Sequence, residues 1–137
     1  MELTRHQIRE IAFQTLFGLN TNDQTDWKDF FQVLTSGKYG DDYPEYLHQL
    51  ISGVLEHKSE IDHTIEKYLA SSWSLERIAR TDLIILEIAI YEMVYVDDMP
   101  AKVSINEAIE LAKKFSDDRS RKFVNGILSH ALEELVK

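Results

Sequence analysis

Two Glu-x-x-His pairs have the residue types and the spacing that could build a metal centre. Glu45 precedes His48 by three positions, and Glu60 precedes His63 in the same way. In helical bundles such pairs bind two metal ions when they project into the core and further carboxylates join them. The apolar residues around each pair recur at helical spacing and place Glu45 and His63 on the outer faces of their helices. The sequence therefore predicts no metal site.

No pattern of nucleophilic catalysis or nucleotide binding stands out. The chain has no cysteine, which excludes thiolate chemistry and disulfides. It has no glycine-rich phosphate loop and no Gly-x-Ser-x-Gly nucleophile turn. Serine, histidine and aspartate are present but scattered. We therefore expect a noncatalytic protein without cofactor or small-molecule substrate.

A first basic cluster lies near the amino terminus. Arg5 and Arg9 are four residues apart, so they lie one above the other on a helix, with His6 beside them. Phe13 and Phe17 continue the same stripe and could stack unpaired bases. We expect both arginines to lie outside the apolar face of the helix. Their replacement should therefore leave the fold intact. This pattern is suited to RNA.

A second basic cluster comprises Arg119, Arg121 and Lys122, at the expected start of the last helix. Free backbone N–H groups at a helix start also favour phosphate. The formal net charge of −9 opposes a polyanion at long range. Taken alone, both clusters fit ordinary solvated helix faces better than an RNA surface.

Length and composition describe a single domain. The chain has 137 residues, of which 28% are charged and 44% hydrophobic, as is usual for a globular protein. Its first residues lack the apolar core of a signal peptide, and no apolar run is long enough to span a bilayer. We therefore expect a cytoplasmic protein without a membrane partner.

Hydrophobic periodicity predicts an all-α fold of about seven short helices in antiparallel bundles. The first helix and the last pair of helices begin at capping boxes, Thr4 with Gln7 and Ser104 with Glu107. The predicted helices are about Thr4–Leu19, about Asp26–Leu34, one opened by Pro44, one from near Ser59, a central buried one over about Arg80–Val96, and two more on either side of a turn at Ser116–Arg119.

Four other side chains are expected to have structural roles. Trp73 and Tyr91 should pack in the core or at a hinge near residues 71–74. Asn106 and Asn125 should make a buried polar contact between the last two helices.

Three stretches of the chain, in order, resemble the NusB family. The first is T-R-H-Q-I-R-E-I-A-F-Q-T-L-F near the amino terminus, and the second is W-S-L-E-R-I-A-R-T-D-L-I-I-L-E-I-A-I-Y-E. The third is V-S-I-N-E-A-I-E-L-A-K followed by K-F-V-N-G-I-L. The resemblance implies a single NusB-like helical domain over residues 1–137, with two packed sub-bundles of about residues 1–72 and 73–137.

The resemblance also implies a function. Members of the family are transcription antitermination factors that bind boxA-type RNA of ribosomal RNA operons. They do so together with the ribosomal protein NusE, in the transcription elongation complex with RNA polymerase. Residues that match the family's partner surface are Phe17, Glu76 and Asp82, with Arg80 nearby. An acidic surface would suit a basic partner.

Departures from the family pattern concern the RNA surface. His6 and Gln7 stand where basic residues often occur, Glu87 occupies a position that is often arginine, and Arg119 stands where some relatives carry an acid. Part of the basic surface is therefore expected at the last helix. Two alternatives remain: a helical protein–protein interaction module without an RNA role, and a relative of the RNA-binding module of ribosomal RNA methyltransferases. The latter requires a catalytic domain, and none is expected after Lys137.

Overall fold

The computed structural model describes residues 3–21, 26–70 and 73–135. Over these residues the chain forms seven α-helices and one 3-10 turn, with no strand, which confirms the predicted all-α fold. The elements are α1 (Arg5–Thr21), α2 (Trp27–Leu34), α3 (Glu45–Glu56), α4 (Lys58–Lys67), the 3-10 turn (Leu75–Arg77), α5 (Arg80–Tyr95), α6 (Ala101–Phe115) and α7 (Asp118–Leu135). None of the described helices is long and apolar enough to cross a membrane.

The chain divides into two compact units, Met1–Gly53 and Val54–Lys137. The first contains α1, α2 and most of α3, and the second contains the remaining elements. Ser71 and Ser72, where the hinge was expected, lie outside the described residues. The division into sub-bundles near residue 72 stays a prediction.

In the first unit, α1 begins at the capping box that the sequence indicates. The Thr4 N–H donates to Gln7 Oε1 at 2.8 Å, and the Gln7 N–H donates to Thr4 Oγ1 at 3.1 Å. The next helix, α2, begins after Asp26, whose Oδ1 accepts the Lys28 N–H at 3.0 Å. In both cases a side chain satisfies a backbone donor that has no partner within the helix.

Close packing of α1 against α2 depends on Gly18. A Cβ added at this glycine would lie 2.1 Å from Cζ of Phe30. The absence of a side chain therefore lets the Phe30 ring lie directly on the α1 backbone. Beyond it, Phe31 is fully buried, with the ring centroids of Tyr43 and Tyr39 at 5.0 and 6.2 Å.

The second unit is built around α5, as predicted. Every residue from Ile84 to Glu92 is buried, so this helix is covered on all sides. Helices α4, α6 and α7 pack on it with their apolar faces. At the far end of α4, the Tyr68 hydroxyl donates a hydrogen bond to the Glu134 carboxylate in the last turn of α7. Burial and this carboxylate raise the pKa of Tyr68 to about 12.

The predicted capping box at Ser104 is wrong, because α6 begins one turn earlier. Pro100 is the N-cap, and its carbonyl accepts the N–H groups of Val103 at 3.0 Å and Ser104 at 3.3 Å. Proline has a fixed φ that suits a helix start, so the helix follows it directly. Ser104 is then an interior residue, 1% exposed, and its hydroxyl has no hydrogen-bond partner among the described residues.

The predicted buried contact between Asn106 and Asn125 is also wrong. Both side chains are exposed. Asn125 Oδ1 instead accepts the Ser129 hydroxyl at 3.2 Å, one turn along the same helix. The polar link near the α6–α7 turn is a 2.6 Å hydrogen bond between the hydroxyls of Ser116 and Ser120.

A charged cluster joins α4 to α5. Lys58 Nζ lies 2.7 Å from Glu87 Oε2 and 3.0 Å from Asp62 Oδ2. The Glu87 side chain is 3% exposed, and burial raises its pKa to about 8. The neighbouring Asp62 adds to this rise, and Lys58 opposes it. Burial therefore makes Glu87 easier to protonate than an exposed glutamate, and the ion pair with Lys58 opposes this effect.

Replacing Gly18 by alanine should destabilise the first unit. The added methyl group gains about 1 kcal/mol of helix propensity, but overpacking against Phe30 costs about 1–3 kcal/mol. We expect a net loss of about 1 kcal/mol in the free energy of unfolding measured with denaturant. Gly126→Ala is the matched control, because nothing lies within 4 Å of an added Cβ there. A stabilised Gly18→Ala variant would contradict the close packing.

Replacing Glu87 by glutamine should flatten the dependence of stability on pH. Between the ordinary glutamate pKa of 4.5 and its folded pKa of about 8, Glu87 keeps in the folded state a proton that the unfolded chain releases. Stability therefore falls as the pH rises through this window. Glutamine stays neutral and can still accept the hydrogen bond of Lys58. The stability gain of Glu87→Gln, measured by denaturant unfolding, should grow from about pH 5 to about pH 8. Glu110→Gln, at a half-exposed carboxylate, should show no such trend.

Candidate nucleic-acid interface

A cleft of about 340 Å³ lies in the second unit. The 3-10 turn and the start of α5 form one side, and the α6–α7 turn with the start of α7 forms the other. Its principal side chains are Trp73, Arg77, Asp82, Arg119 and Phe123. Asp117 also lines the cleft, which thus combines two aromatic rings, two guanidinium groups and two carboxyl groups.

Local hydrogen bonds position the α7 side of the cleft. Asp117 Oδ1 accepts the Ser120 N–H at 2.9 Å, and the Ser120 hydroxyl lies 2.6 Å from that of Ser116. These contacts order the two-residue turn between α6 and α7. Because Arg119 and Phe123 are four residues apart on α7, they share one face of the helix.

The aromatic wall is accessible. Trp73 is 50% exposed, and its ring centroid lies 6.3 Å from that of Phe123, with the planes tilted by 42°. Exposed aromatic rings bind single-stranded nucleic acid by stacking on unpaired bases. Trp73 therefore does not pack in the core, and the alternative expectation of a place at the hinge stays a prediction, whereas Tyr91 is buried as expected.

The polar groups of the cleft differ in exposure. Arg77 and Arg119 are exposed, which suits contact with phosphate. Asp82 is 7% exposed, and its Oδ1 has no hydrogen-bond partner among the described residues. Burial raises the pKa of the Asp82 carboxyl; a hydrogen bond with Ser120 opposes the rise, and the charge of Asp117 adds to it.

Only part of the second basic cluster lines this cleft. Arg119 lines the cleft, and Arg121 does not. The Nη2 of Arg121 lies 3.3 Å from Asp118 Oδ1, and this carboxylate offsets the charge of Arg121. Lys122 is exposed but does not line the cleft. The helix start is less open to phosphate than expected, because Asp117 Oδ1 accepts the Ser120 N–H and Asp118 lies in the first turn.

The first basic cluster is split by burial. Arg5 is exposed, with its guanidinium carbon 4.2 Å from the centroid of the Tyr46 ring. His6 is also exposed, and its Nε2 lies 3.2 Å from Glu10 Oε2. Arg9 and Phe13 are each only 3% exposed. The expectation that both arginines lie off the buried face is therefore wrong for Arg9.

The burial of Arg9 has a simple helical explanation. Arg9, Phe13 and Leu16 follow one another at spacings of four and three residues, and all three are buried. They form a second buried stripe beside the one that contains Ile8 and Ile11. Phe13, which was expected on the surface, thus marks the second buried stripe. Its ring and the Arg9 side chain have little surface to offer to RNA.

The residues predicted to bind a partner also differ in exposure. Glu76 and Arg80 are exposed, Phe17 is half-buried and Asp82 is buried. Hydrogen bonds from its own backbone N–H and from the Ser74 side chain lower the pKa of the Glu76 carboxyl. Glu76 therefore presents a negative charge at neutral pH, as docking to a basic surface requires. The partner role of these four residues stays a prediction.

The Glu-x-x-His pairs lie on helix surfaces. His48 is exposed and stacks on Trp27 with ring centroids 5.7 Å apart, and His63 is exposed as well. Within the described ranges, no three histidine or acidic side chains are placed to hold a metal ion together.

Sequence reasoning missed three residues of the cleft, Trp73, Arg77 and Phe123. Phe123 lies in the apolar series of the last helix, which predicted a core position, but its ring is only partly buried. The usable signal was that an aromatic residue directly follows Arg121 and Lys122. Basic residues interleaved with aromatic ones are typical of single-strand binding surfaces.

Comparisons with known proteins agree on one family. The model of the NusB family matches residues 6–133. The transcription antitermination protein NusB of Levilactobacillus brevis is 54% identical over 141 residues, which cover 98% of this chain and 96% of that protein. A solved structure of T. maritima NusB is 34% identical, covers 98% of this chain and 94% of its own, and superposes with a TM-score of 0.82.

A further solved structure shares the fold. It is described as antitermination factors NusB and NusE in complex with dsRNA, and the matched chain superposes with a TM-score of 0.78. The match covers 96% of this chain and 98% of that one, at 24% identity.

Replacing Trp73 by alanine should weaken binding of single-stranded RNA. Loss of one stacked base should reduce the free energy of binding by about 1–3 kcal/mol. Removal of a half-exposed ring should leave thermal stability nearly unchanged. Fluorescence anisotropy with labelled RNA measures the affinity. Val94→Ala, at another exposed apolar side chain of the same unit, is the control. Equal affinity of the two variants would show that the cleft is not an RNA surface.

Proposed function

The chain belongs to the NusB family, and from that premise we propose that it is a noncatalytic, RNA-binding transcription antitermination factor. It binds boxA-type RNA of ribosomal RNA operons together with the ribosomal protein NusE. It acts in the cytoplasm, in the transcription elongation complex with RNA polymerase. Support comes from the family match over residues 6–133 and from a relative with 54% identity over nearly the whole chain.

The cleft of the second unit is the structural feature that best supports RNA binding. Trp73 and Phe123 provide stacking surfaces, and the exposed Arg77 and Arg119 lie on the same cleft. Single strands are bound by such combinations of aromatic rings with cations along the phosphate backbone. A duplex offers no unstacked base, so the cleft favours an unpaired strand.

In the first unit, Arg5 and His6 supply the remaining contacts. Arg5 is exposed, and its position over the Tyr46 ring restricts the guanidinium to a defined place on the surface. His6 lies next to Glu10, so its contribution to phosphate binding is smaller. Arg9 and Phe13 support α1 from its buried side.

The acidic balance of the chain explains why a partner is needed. With a net charge of −9, the protein alone should bind RNA weakly. NusE supplies further RNA contacts and docks on acidic groups, of which Glu76 is exposed and ionised at neutral pH. Arg80 and Asp82 belong to the same unit as Glu76, and Phe17 of the first unit is the fourth residue of the proposed partner set.

A gel shift with boxA-type RNA tests the proposal. We expect a weak shift with this protein alone and a much tighter complex when NusE is added. Arg5→Ala and Arg119→Ala should each flatten the slope of log affinity against log salt by about 0.7 for every phosphate that is no longer neutralised. Glu76→Gln should reduce the gain from NusE and leave the protein's own RNA affinity unchanged.

The same experiment separates the alternative function. If no RNA shifts with or without NusE while NusE itself still binds, the protein is a helical interaction module without an RNA role. Lys102→Ala, at an exposed lysine of α6 away from the cleft residues, is the matched control for the two arginine variants. Its salt slope should equal that of the unmodified protein.

A further inference from the structure

A shallow groove of about 290 Å³ lies in the first unit, between α1 and the turn that follows α2. Its polar side chains include Gln7, Glu10 and Gln14 from α1, and Lys38 and Tyr39 from the turn. We propose that this groove binds one unpaired RNA nucleotide and that Glu10 selects a base with an exocyclic amino group. The inference rests on the proposed RNA-binding function and adds base selectivity to it.

The turn after α2 forms one wall of the groove. At the end of the helix, the Gly37 N–H donates to the Gln32 carbonyl at 2.8 Å, and the Thr35 hydroxyl donates to the Phe31 carbonyl at 2.7 Å. Ser36 and Gly37 have φ values of 54° and 69°, in the left-handed region. A non-glycine residue in this region is costly and persists where the surroundings require it. Here it reverses the chain and places Lys38 and Tyr39 opposite α1.

The other wall is one face of α1. Gln7, Glu10 and Gln14 are separated by three and four residues, so their side chains project in the same direction. Glu10 is the acid of this face, with 17% of its side chain exposed and its Oε2 3.2 Å from His6 Nε2. The His6 contact orients the carboxylate beside the groove.

The chemistry of these groups favours a base over a phosphate. A carboxylate only accepts hydrogen bonds and repels a phosphate, whereas it can accept the N4 amino group of cytosine. Adenine and guanine likewise present amino groups, at N6 and N2 respectively. Uracil presents a carbonyl oxygen at the position of the cytosine amino group, which the carboxylate would repel. The glutamine amides can donate or accept and so complete the contact with several bases.

The remaining groups suit the rest of a nucleotide. Tyr39 is half-buried and offers a ring for stacking, and Lys38 Nζ lies 5.7 Å from its centroid, where it can reach a phosphate. A volume of 290 Å³ is at the lower end of small-ligand sites. It is suited to one nucleotide and not to a longer stacked segment.

The test compares RNAs in which one exocyclic amino group at a time is removed or replaced by a carbonyl oxygen. The full-length protein with NusE is titrated with boxA-type RNA and with versions in which each cytidine is replaced by uridine, or each adenosine or guanosine by inosine, one at a time. At one position the replacement should weaken binding about tenfold. In Glu10→Gln the same replacement should have little effect, because the amide can donate to the new carbonyl oxygen. Glu133→Gln, at a carboxylate of α7 in the other unit, should retain the full discrimination.

A second variant covers the case that Glu10→Gln disturbs α1. Tyr39→Leu should lower the binding affinity of every RNA in the series by a similar factor. It should preserve the preference for the amino group. If discrimination is the same with and without Glu10, or if no position shows it, this inference is wrong while the proposed function stands. If none of the RNAs binds the unmodified protein with NusE, the proposed function fails as well.

Discussion

The burial of α5 on all sides is the constraint on which the second unit depends. A helix with an unbroken run of buried residues from Ile84 to Glu92 must be covered by neighbours around its whole circumference. Each fully buried isoleucine or leucine of this run contributes about 1.5–3 kcal/mol. Helices α6 and α7 both pack on α5, so the turn that joins them lies beside the start of α5. The cleft with Trp73 and Arg119 is a consequence of this arrangement.

The charge of the protein acts at two ranges. Its net value of −9 governs encounter at long distance, but salt screens exposed charges beyond about 8–10 Å at physiological ionic strength. Within that range, the local groups decide what binds. Arg77 and Arg119 on the cleft can therefore hold a phosphate although the surface as a whole is acidic. For an acidic protein of this kind, close contact between local groups therefore matters more for binding than long-range steering.

The fold was predictable from the sequence because its signals are local. The capping box of Thr4 and Gln7 and the apolar run of α5 each depend on residues within a few turns. Errors arose where two local signals competed. Pro100 starts α6 before Ser104 can cap it. The residues of the candidate site were harder to predict. Arg9 lies on a second buried stripe of α1 that competes with the first, and the exposure of Trp73 depends on packing between elements distant in sequence.

The hydrogen bond between Tyr68 and Glu134 joins residues that are 66 positions apart. Contacts of such long sequence separation form late, because a large loop must close before they can contribute. During synthesis, α4 and α5 leave the ribosome well before the last turn of α7 exists. The apolar surface of α5 that α7 covers must therefore remain unprotected until α7 has been synthesised. The nascent chain thus has a window in which chaperone binding or aggregation competes with folding.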